Sequence, residues 1–282
     1  MSKTVLGIGE IVWDCLPGGR KLGGAPVNFA YHCQQLGVES YPISAVGEDA
    51  LGDETLQQCR SYGLCTDYID RNFLPTSRVL VTLDTAGVPS YEIVENVAWD
   101  ALEATSKVLS LAARADAVCW GSLAQRSAGS RSAIMEILEA VPMDAIRVFD
   151  INMRQKYYSR DVIEASLEKA TILKLNEDEL PLVLNLIGAK GIDDIIMRYS
   201  LDYLIYTSGA SFSEIYSPQG LVSHIETPKV DVVDTVGAGD CFTAAFITSI
   251  LNGSKPSEAH AKAVCMSAWL CTLPGAINSL KR

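Results

Sequence analysis

The chain has 282 residues, 48% hydrophobic and 20% charged, which suits one large or two small globular domains with a sizeable core and excludes a disordered chain. A formal net charge of −11 with no basic block excludes nucleic acid and an anionic membrane surface as partners, so an anionic ligand needs a locally positive site. Eight cysteines without a C-x-x-C pair and a start without an apolar signal region read as a reduced, cytoplasmic protein, and three histidines (His32, His224, His260) at no metal-ligand spacing leave zinc without a site.

In chain order, residues 4–11 are an apolar run with glycine punctuation and predict a buried strand ending at Glu10 to Asp14. A helix is expected over 26–36, a strand over 41–46 and a helix over 53–62. The alternation resumes with strand 117–120, helix 131–140, strand 146–151, helix 161–170, strand 172–175, helices 177–187 and 192–199, and strand 203–206. Strands alternating with helices predict an α/β fold with a mainly parallel central sheet covered on both faces, with ligands at the carboxyl ends of the strands, where Gly, Asp and Asn gather.

One segment breaks the pattern. Residues 78–84 and 90–95 alternate apolar and polar about a turn at 85–89, as a hairpin with one wet face does. Together with the extended segment 13–22 it is assigned to a small β lid beside the main sheet, spanning about 12–22 and 77–97, within a single domain of residues 1–282. A surface hairpin without function fits the same pattern.

The stretch from Val233 to Phe246 reads as a loop feeding a helix, with Gly237, Ala238 and Gly239 leaving Asp240 in the first helical turn. Amides without internal partners and the positive end of the helix dipole make such a turn a phosphate cradle, and a carboxylate beside it is a general base. Capping the helix is the plainer role for Asp240. Upstream, Gly23-Gly24 runs into a helix carrying Asn28, whose amide offers a donor and an acceptor to a polyhydroxy ligand, and Asp14 ends a strand where a carboxylate takes two hydroxyls. A plain connector and a solvated Asp are the alternatives.

Asn176 and Glu179 stand three residues apart on one face, suited either to water-bound Mg²⁺ or to a capping box. Asp150, Asn152 and Arg154 follow a strand, with Arg154 placed to bridge substrate and phosphate or to make a surface ion pair. Thr207 and Gly209, in Tyr206-Thr-Ser-Gly209, end another strand where backbone can approach a nucleotide.

The order of these elements resembles the ribokinase-like (PfkB-type) carbohydrate kinases over essentially the whole chain. Gly23 to Asn28 looks like the family's first signature, Asp234 to Asp240 like its second, and Asn176-x-x-Glu179 like its Mg²⁺ and phosphate motif. Gly7 to Asp14, Glu95 to Asp100, Gly121 to Arg126 and Asp150 to Arg154 look most like bacterial fructokinases. The resemblance implies a three-layer α/β/α sandwich and transfer of the γ-phosphoryl group of ATP to a sugar hydroxyl, with fructose the first expectation. Asp240 is the implied base, Gly237 to Asp240 the anion hole, and Asp14, Gly24, Asn28 and Arg154 the sugar ligands. Asn176, Glu179, Thr207 and Gly209 lie on the ATP side, with Mg²⁺ on Glu179 through water.

Some members also hold K⁺, which here implies Asp234, Val236, Gly275 and Ser279, with Asp234 as a turn cap the alternative. Trp13, Trp99 and the hairpin are expected to close the sugar pocket. Pairing of two subunits through the lid stays open. The segment Ser208 to Phe212 lacks a second glycine that relatives often carry, which sets the adenine pocket apart. A dinucleotide oxidoreductase would show G-x-G-x-x-G after the first strand, and Val12 stands where its third glycine belongs. A sugar sensor on the same fold would not need Asp240.

Overall fold

A computed structural model describes residues 2–16, 19–83 and 89–280. The chain runs β1 (Thr4–Ile8), β2 (Val12–Leu16), β3 (Gly19–Gly23), α1 (Ala25–Gln35), β4 (Glu39–Gly47), α2 (Ala50–Ser61), β5 (Ile69–Asn72), β6 (Arg78–Leu83) and β7 (Pro89–Ile93). It continues with α3 (Ser106–Ala112), β8 (Ala117–Trp120), α4 (Ala128–Ala140), β9 (Ile146–Asp150), α5 (Arg160–Lys169), β10 (Ile172–Asn176), α6 (Glu179–Ile187) and α7 (Ile192–Tyr199). It closes with β11 (Tyr203–Ser208), β12 (Phe212–Ser217), β13 (Gly220–Glu226), α8 (Ala238–Leu251) and α9 (Pro256–Cys271).

Nine strands form one sheet in the order β13-β12-β11-β10-β9-β8-β1-β4-β5, parallel except at the β12 and β13 edge. Successive side chains point to opposite faces, and helices cover both faces of the parallel part. Leu6, Ile8, Val118, Trp120, Phe149 and Leu173 pack toward α3 to α7, and Val5, Cys119, Val148, Ile172 and Ile205 pack toward α1, α8 and α9. Two layers of helix thus enclose one sheet, the three-layer arrangement expected. Among the described residues no helix is long and apolar enough to cross a membrane.

Most predicted elements recur with ends moved by a few residues, and side-chain caps account for several of the shifts. Asp49 accepts the amide of Gly52, so α2 begins at Ala50 rather than at 53. Ser127 caps α4 at Ala128 rather than 131, and Asn176 takes the amides of Asp178 and Glu179, so α6 starts at Glu179 rather than 177. The first strand stops at Ile8, because residues 9–11 turn the chain out of the sheet.

β2, β3, β6 and β7 form a second sheet in the order β3-β2-β6-β7, with β2 parallel to β6. The turn of its hairpin, expected at 85–89, falls almost wholly outside the described residues. The base of this sheet is held by a buried ion pair. Arg126 grips Asp100 through two hydrogen bonds of 2.7 Å, donates to the carbonyl of Val94, and lies over Trp99 with its guanidinium 4.0 Å from the ring centre. The side chains are only 5% and 9% exposed, so neither charge has water to fall back on. Asp100→Ala therefore leaves a buried guanidinium uncompensated, and urea unfolding of this variant is expected to show a loss of about 3–5 kcal/mol.

Candidate active site

The carboxyl ends of the parallel strands, the second sheet and the start of α8 enclose a cavity of about 1300 Å³. Asp14, Gly24, Asn28, Arg154, Asn176, Glu179, Thr207, Gly209, Asp234, Val236, Gly237, Ala238, Gly239, Asp240 and Gly275 all line it. Residues as far apart in sequence as Glu10 and Ala276 meet in this one space. Ser279 does not line the cavity: it is exposed, and its hydroxyl is 3.5 Å from the carbonyl of Leu280.

The turn into α8 works because of one glycine. Gly237, the residue before the helix, has φ 78°, a left-handed conformation that costs glycine little. A Cβ there would also meet that of Ala276 at 2.5 Å, so the loop at 274–277 backs directly onto the turn. The amide of Ala238 is engaged by Thr235 at 3.2 Å, which leaves those of Gly239 and Asp240 as the first-turn donors.

Asp240 is partly buried, and its Oδ2 accepts from the side-chain amide of Asn28 at 2.8 Å. A carboxylate can only accept, so Asn28 must turn its nitrogen toward it. The other end of that amide, Oδ1, is buried and has no partner among the described residues. Burial first, and then the nearby charge of Asp150, raise the Asp240 carboxyl to about 7, against the opposing pull of Asn28 and Lys174 and with a further push from Glu10.

Below this turn lies a buried ion pair that the sequence reading did not contain. Lys174 on β10 binds both oxygens of Asp150 on β9, at 2.9 and 2.8 Å. Burial pulls the Lys174 ammonium down, but Asp150 outweighs it and holds the group above its ordinary value. Thr243, one turn into α8, has its hydroxyl 3.0 Å from Asp150 and 3.0 Å from the carbonyl of Gly239. The available signal was a lysine inside the apolar strand 172–175: a charge there implies a partner, though not which one.

Glu10 was also missed as a site residue. It is 3% exposed, accepts the amide of Ala25 at 3.2 Å and lines the cavity, with its carboxyl raised mainly by burial. Asp14, further out, is raised by partial burial, with Arg154 and then Lys21 acting against it. Asn176 and Glu179 form the reciprocal capping arrangement: Glu179 accepts the amide of Asn176 at 2.9 Å and, with its other oxygen, that of Met153 at 2.8 Å. Burial, then Asp150, raise its carboxyl.

The expected aromatic closure is corrected. Trp13 is 4% exposed and donates from its ring to Thr55 at 2.7 Å, and Trp99 is fully buried beneath Arg126. Alternation along β2 puts Val12 and Asp14 on the cavity face and Trp13 on the opposite one. Val12, Val79, Ile93 and Leu123 supply the apolar wall instead.

Sheet, second sheet and loop-to-helix turn together form the architecture expected of the ribokinase-like carbohydrate kinases. Residues 14–282 match the pfkB family carbohydrate kinase profile, and the chain belongs to that family. It is 30% identical to a fructokinase of Klebsiella pneumoniae, over 99% of this chain and 97% of that one, and 31% identical to one of Salmonella typhimurium, over 92% and 88%. An uncharacterised sugar kinase of Pyrococcus horikoshii, solved in complex with ATP, superposes with a TM-score of 0.83 at 25% identity, covering 97% of this chain and 93% of that one.

The junction between β3 and α1 gives a direct test of how tightly the cavity is built. Gly24 has φ 117°, and a Cβ on it would lie 2.4 Å from the carbonyl oxygen of Glu10. Gly24→Ala is expected to lower the thermal midpoint, since left-handed strain alone costs about 1–3 kcal/mol and the clash is with backbone.

Proposed function

We propose that the protein transfers the γ-phosphoryl group of ATP to a hydroxyl of a small sugar, fructose before others. The observation that carries this reading is the contact of Asp240 with Asn28 at the start of α8. A carboxylate raised to about 7, the Asn28 amide that it accepts from and the first-turn amides border one cavity, which supports this reading. Asp240 takes the proton of the sugar hydroxyl, and that oxygen attacks phosphorus as the bond to ADP breaks. The Gly239 and Asp240 amides face the charge that develops on the transferred group. On this reading Asp14 and Asn28 hold sugar hydroxyls, and Arg154 serves the sugar and the transferred phosphoryl group. Asn176, Thr207 and Gly209 border the nucleotide, with Phe212 beside them as an aromatic surface in a turn that lacks the second glycine.

Mg²⁺ fits here as part of the nucleotide complex. Among the described residues no three His, Cys, Asp or Glu side chains cluster to hold a metal by themselves. The buried carboxylate of Glu179 faces the cavity with lone pairs to spare beyond its two amide contacts, as a water-mediated ligand needs. When bound, the ion supplies charge neutralisation at the phosphates. Fructose is favoured by the names of the relatives at 30% and 31% identity and by the polar pair Asp14 and Asn28 opposite an apolar wall.

Since the base must be ionised, activity is present above the Asp240 pKa and lost below it. The pH profile of kcat/KM is expected to rise to a plateau through about pH 7 and to fall about tenfold per unit on the acid side. Asp240→Asn keeps shape and hydrogen bonding, yet should lower kcat by about 10²–10⁴-fold with sugar KM little changed. Near-normal turnover in that variant would reduce Asp240 to a helix cap.

Substrate is read separately, from ADP release over a panel of sugars. Fructose should exceed ribose in kcat/KM, because an unfilled buried polar group costs about 1–3 kcal/mol. Asp14→Ala should weaken fructose far more than ATP, and equal values for ribose and fructose would remove the fructose assignment while leaving the kinase.

A further inference from the structure

The resemblance implies a dissolved monovalent cation beside Asp234, and the residues present do not fit one. Each oxygen of Asp234 accepts one amide, Oδ1 that of Val236 at 3.0 Å and Oδ2 that of Gly275 at 2.9 Å, and the remaining lone pairs face a cation the chain itself supplies. The ammonium of Lys21 stands 3.6 Å from Oδ2, and a Cβ on Gly275 would lie 3.8 Å from it. Ser279, the fourth expected ligand, lies outside the cavity. A positive charge is therefore already in place at this carboxylate, and the lid sheet supplies it.

The position of Lys21 gives that charge a consequence. Lys21 lies on β3, directly opposite Asp14 on β2, and its side chain crosses from the lid to the loop that opens α8. Asp234 ties this loop to the segment at 274–276. Ala276 backs Gly237 in turn, and its carbonyl is 2.9 Å from His32 Nε2, which must carry the proton because a carbonyl only accepts. Contacts thus run from the lid through Asp234, Gly275 and Ala276 to the residue that aims the first-turn amides. Partial burial would raise the Asp234 carboxyl, but the two amides and Lys21 outweigh it and hold the group ionised below the usual range.

We propose that Lys21 is a built-in monovalent cation, a positioning residue on the lid that neutralises Asp234 and holds its loop against Gly237 in place of dissolved K⁺. A half-exposed pair such as this contributes little to global stability. Its effect is on aim, and it differs from a free ion in being delivered by β3, which also carries the chain into Gly24 and Asn28. The sugar side and the phosphate side of the cavity are thereby coupled through one side chain.

The kinetic test rests on the sugar-kinase reading above. Sugar-dependent ADP formation is measured in Na⁺ and in K⁺ at constant ionic strength for the wild type, Lys21→Arg and Lys21→Met. The wild type should be indifferent to the choice of cation. Lys21→Met should lose about 10-fold or more in kcat in Na⁺ with sugar KM little changed, and recover in K⁺, because small errors of aim at reacting groups are costly. Lys21→Arg should keep most of the activity without K⁺. A wild type stimulated several-fold by K⁺, or Lys21→Met with unaltered kcat, overturns the proposal.

Hydrogen exchange on the unliganded protein decides the same point without turnover. The amides of Gly275 and of residues 235–239 should exchange faster in Lys21→Met than in the wild type, and equal rates count against the role. A wild type with no sugar-dependent ADP formation would defeat the reading under Proposed function and leave the exchange result to stand by itself.

Discussion

A carboxylate held largely out of water at the start of an apolar helix is the constraint on which this site depends. From Cys241 to Ser249 every residue of α8 is buried, and the helix lies between α1 and α9 with no wet face. Asp240 at its first turn loses most of its hydration, and three things offset the loss: the helix dipole, the amide of Asn28 and the ammonium of Lys174. Lys174 is itself buried and needs Asp150, which in turn takes the hydroxyl of Thr243 from α8. One ionisable group on α8 thus requires α1, β9 and β10 to be in fixed register. This explains why Asp150 and Lys174 stand beside the buried Phe149, Leu173 and Leu175 of β9 and β10.

The parts of the molecule legible in the sequence are those whose physics is local. Apolar runs mark β1, β8 and β10, and the glycine, asparagine and aspartate residues that follow them mark the cavity, because backbone turns there need those residue types. What escaped is fixed by partners far along the chain. β5 reads Ile-Asp-Arg-Asn and has no apolar run; it is a strand because Ile69 pairs with Ser44 of β4. β12 and β13 form an antiparallel edge whose polar residues gave no strand signal, although His260 of α9 lies beneath them against Ser213 and Ser223. Lys174 has its partner 24 residues away, and nothing within β10 names it. Trp13 was misassigned for a simpler reason: an aromatic beside a polar site invites a role in it, whereas alternation along β2 had already sent it to the other face.

The second sheet is fixed at both of its roots. At one, Gly23 and Gly24 carry β3 straight into α1. At the other, Arg126 holds Val94 and Asp100, and Tyr157 places its hydroxyl 3.3 Å from the carbonyl of Ile93 and 2.8 Å from Glu95. The motifs Glu95 to Asp100 and Gly121 to Arg126, which read in sequence as separate fructokinase-like features, are here two halves of one clamp. Their part is to set where Val79 and Ile93 stand on the cavity wall.

Charge then decides what the cavity can accept. The carboxylates of Glu10, Asp14, Asp150, Glu177, Asp178, Glu179, Asp234 and Asp240 line it, against the cations Lys21, Arg154, Lys174 and Lys229. Two of those cations are already committed, Lys174 to Asp150 and Lys21 to Asp234. A polyphosphate entering such a space meets first-turn amides and two further positive side chains, on a chain whose net charge is −11. Dipoles and two charges do not balance a triphosphate beside so many carboxylates, at separations where Coulomb energies in a partly dry cleft reach several kcal/mol. On the proposed reading the nucleotide must therefore arrive with its own divalent cation. On that same reading metal-bound ATP, rather than ATP alone, is the form that so acidic a cavity would admit.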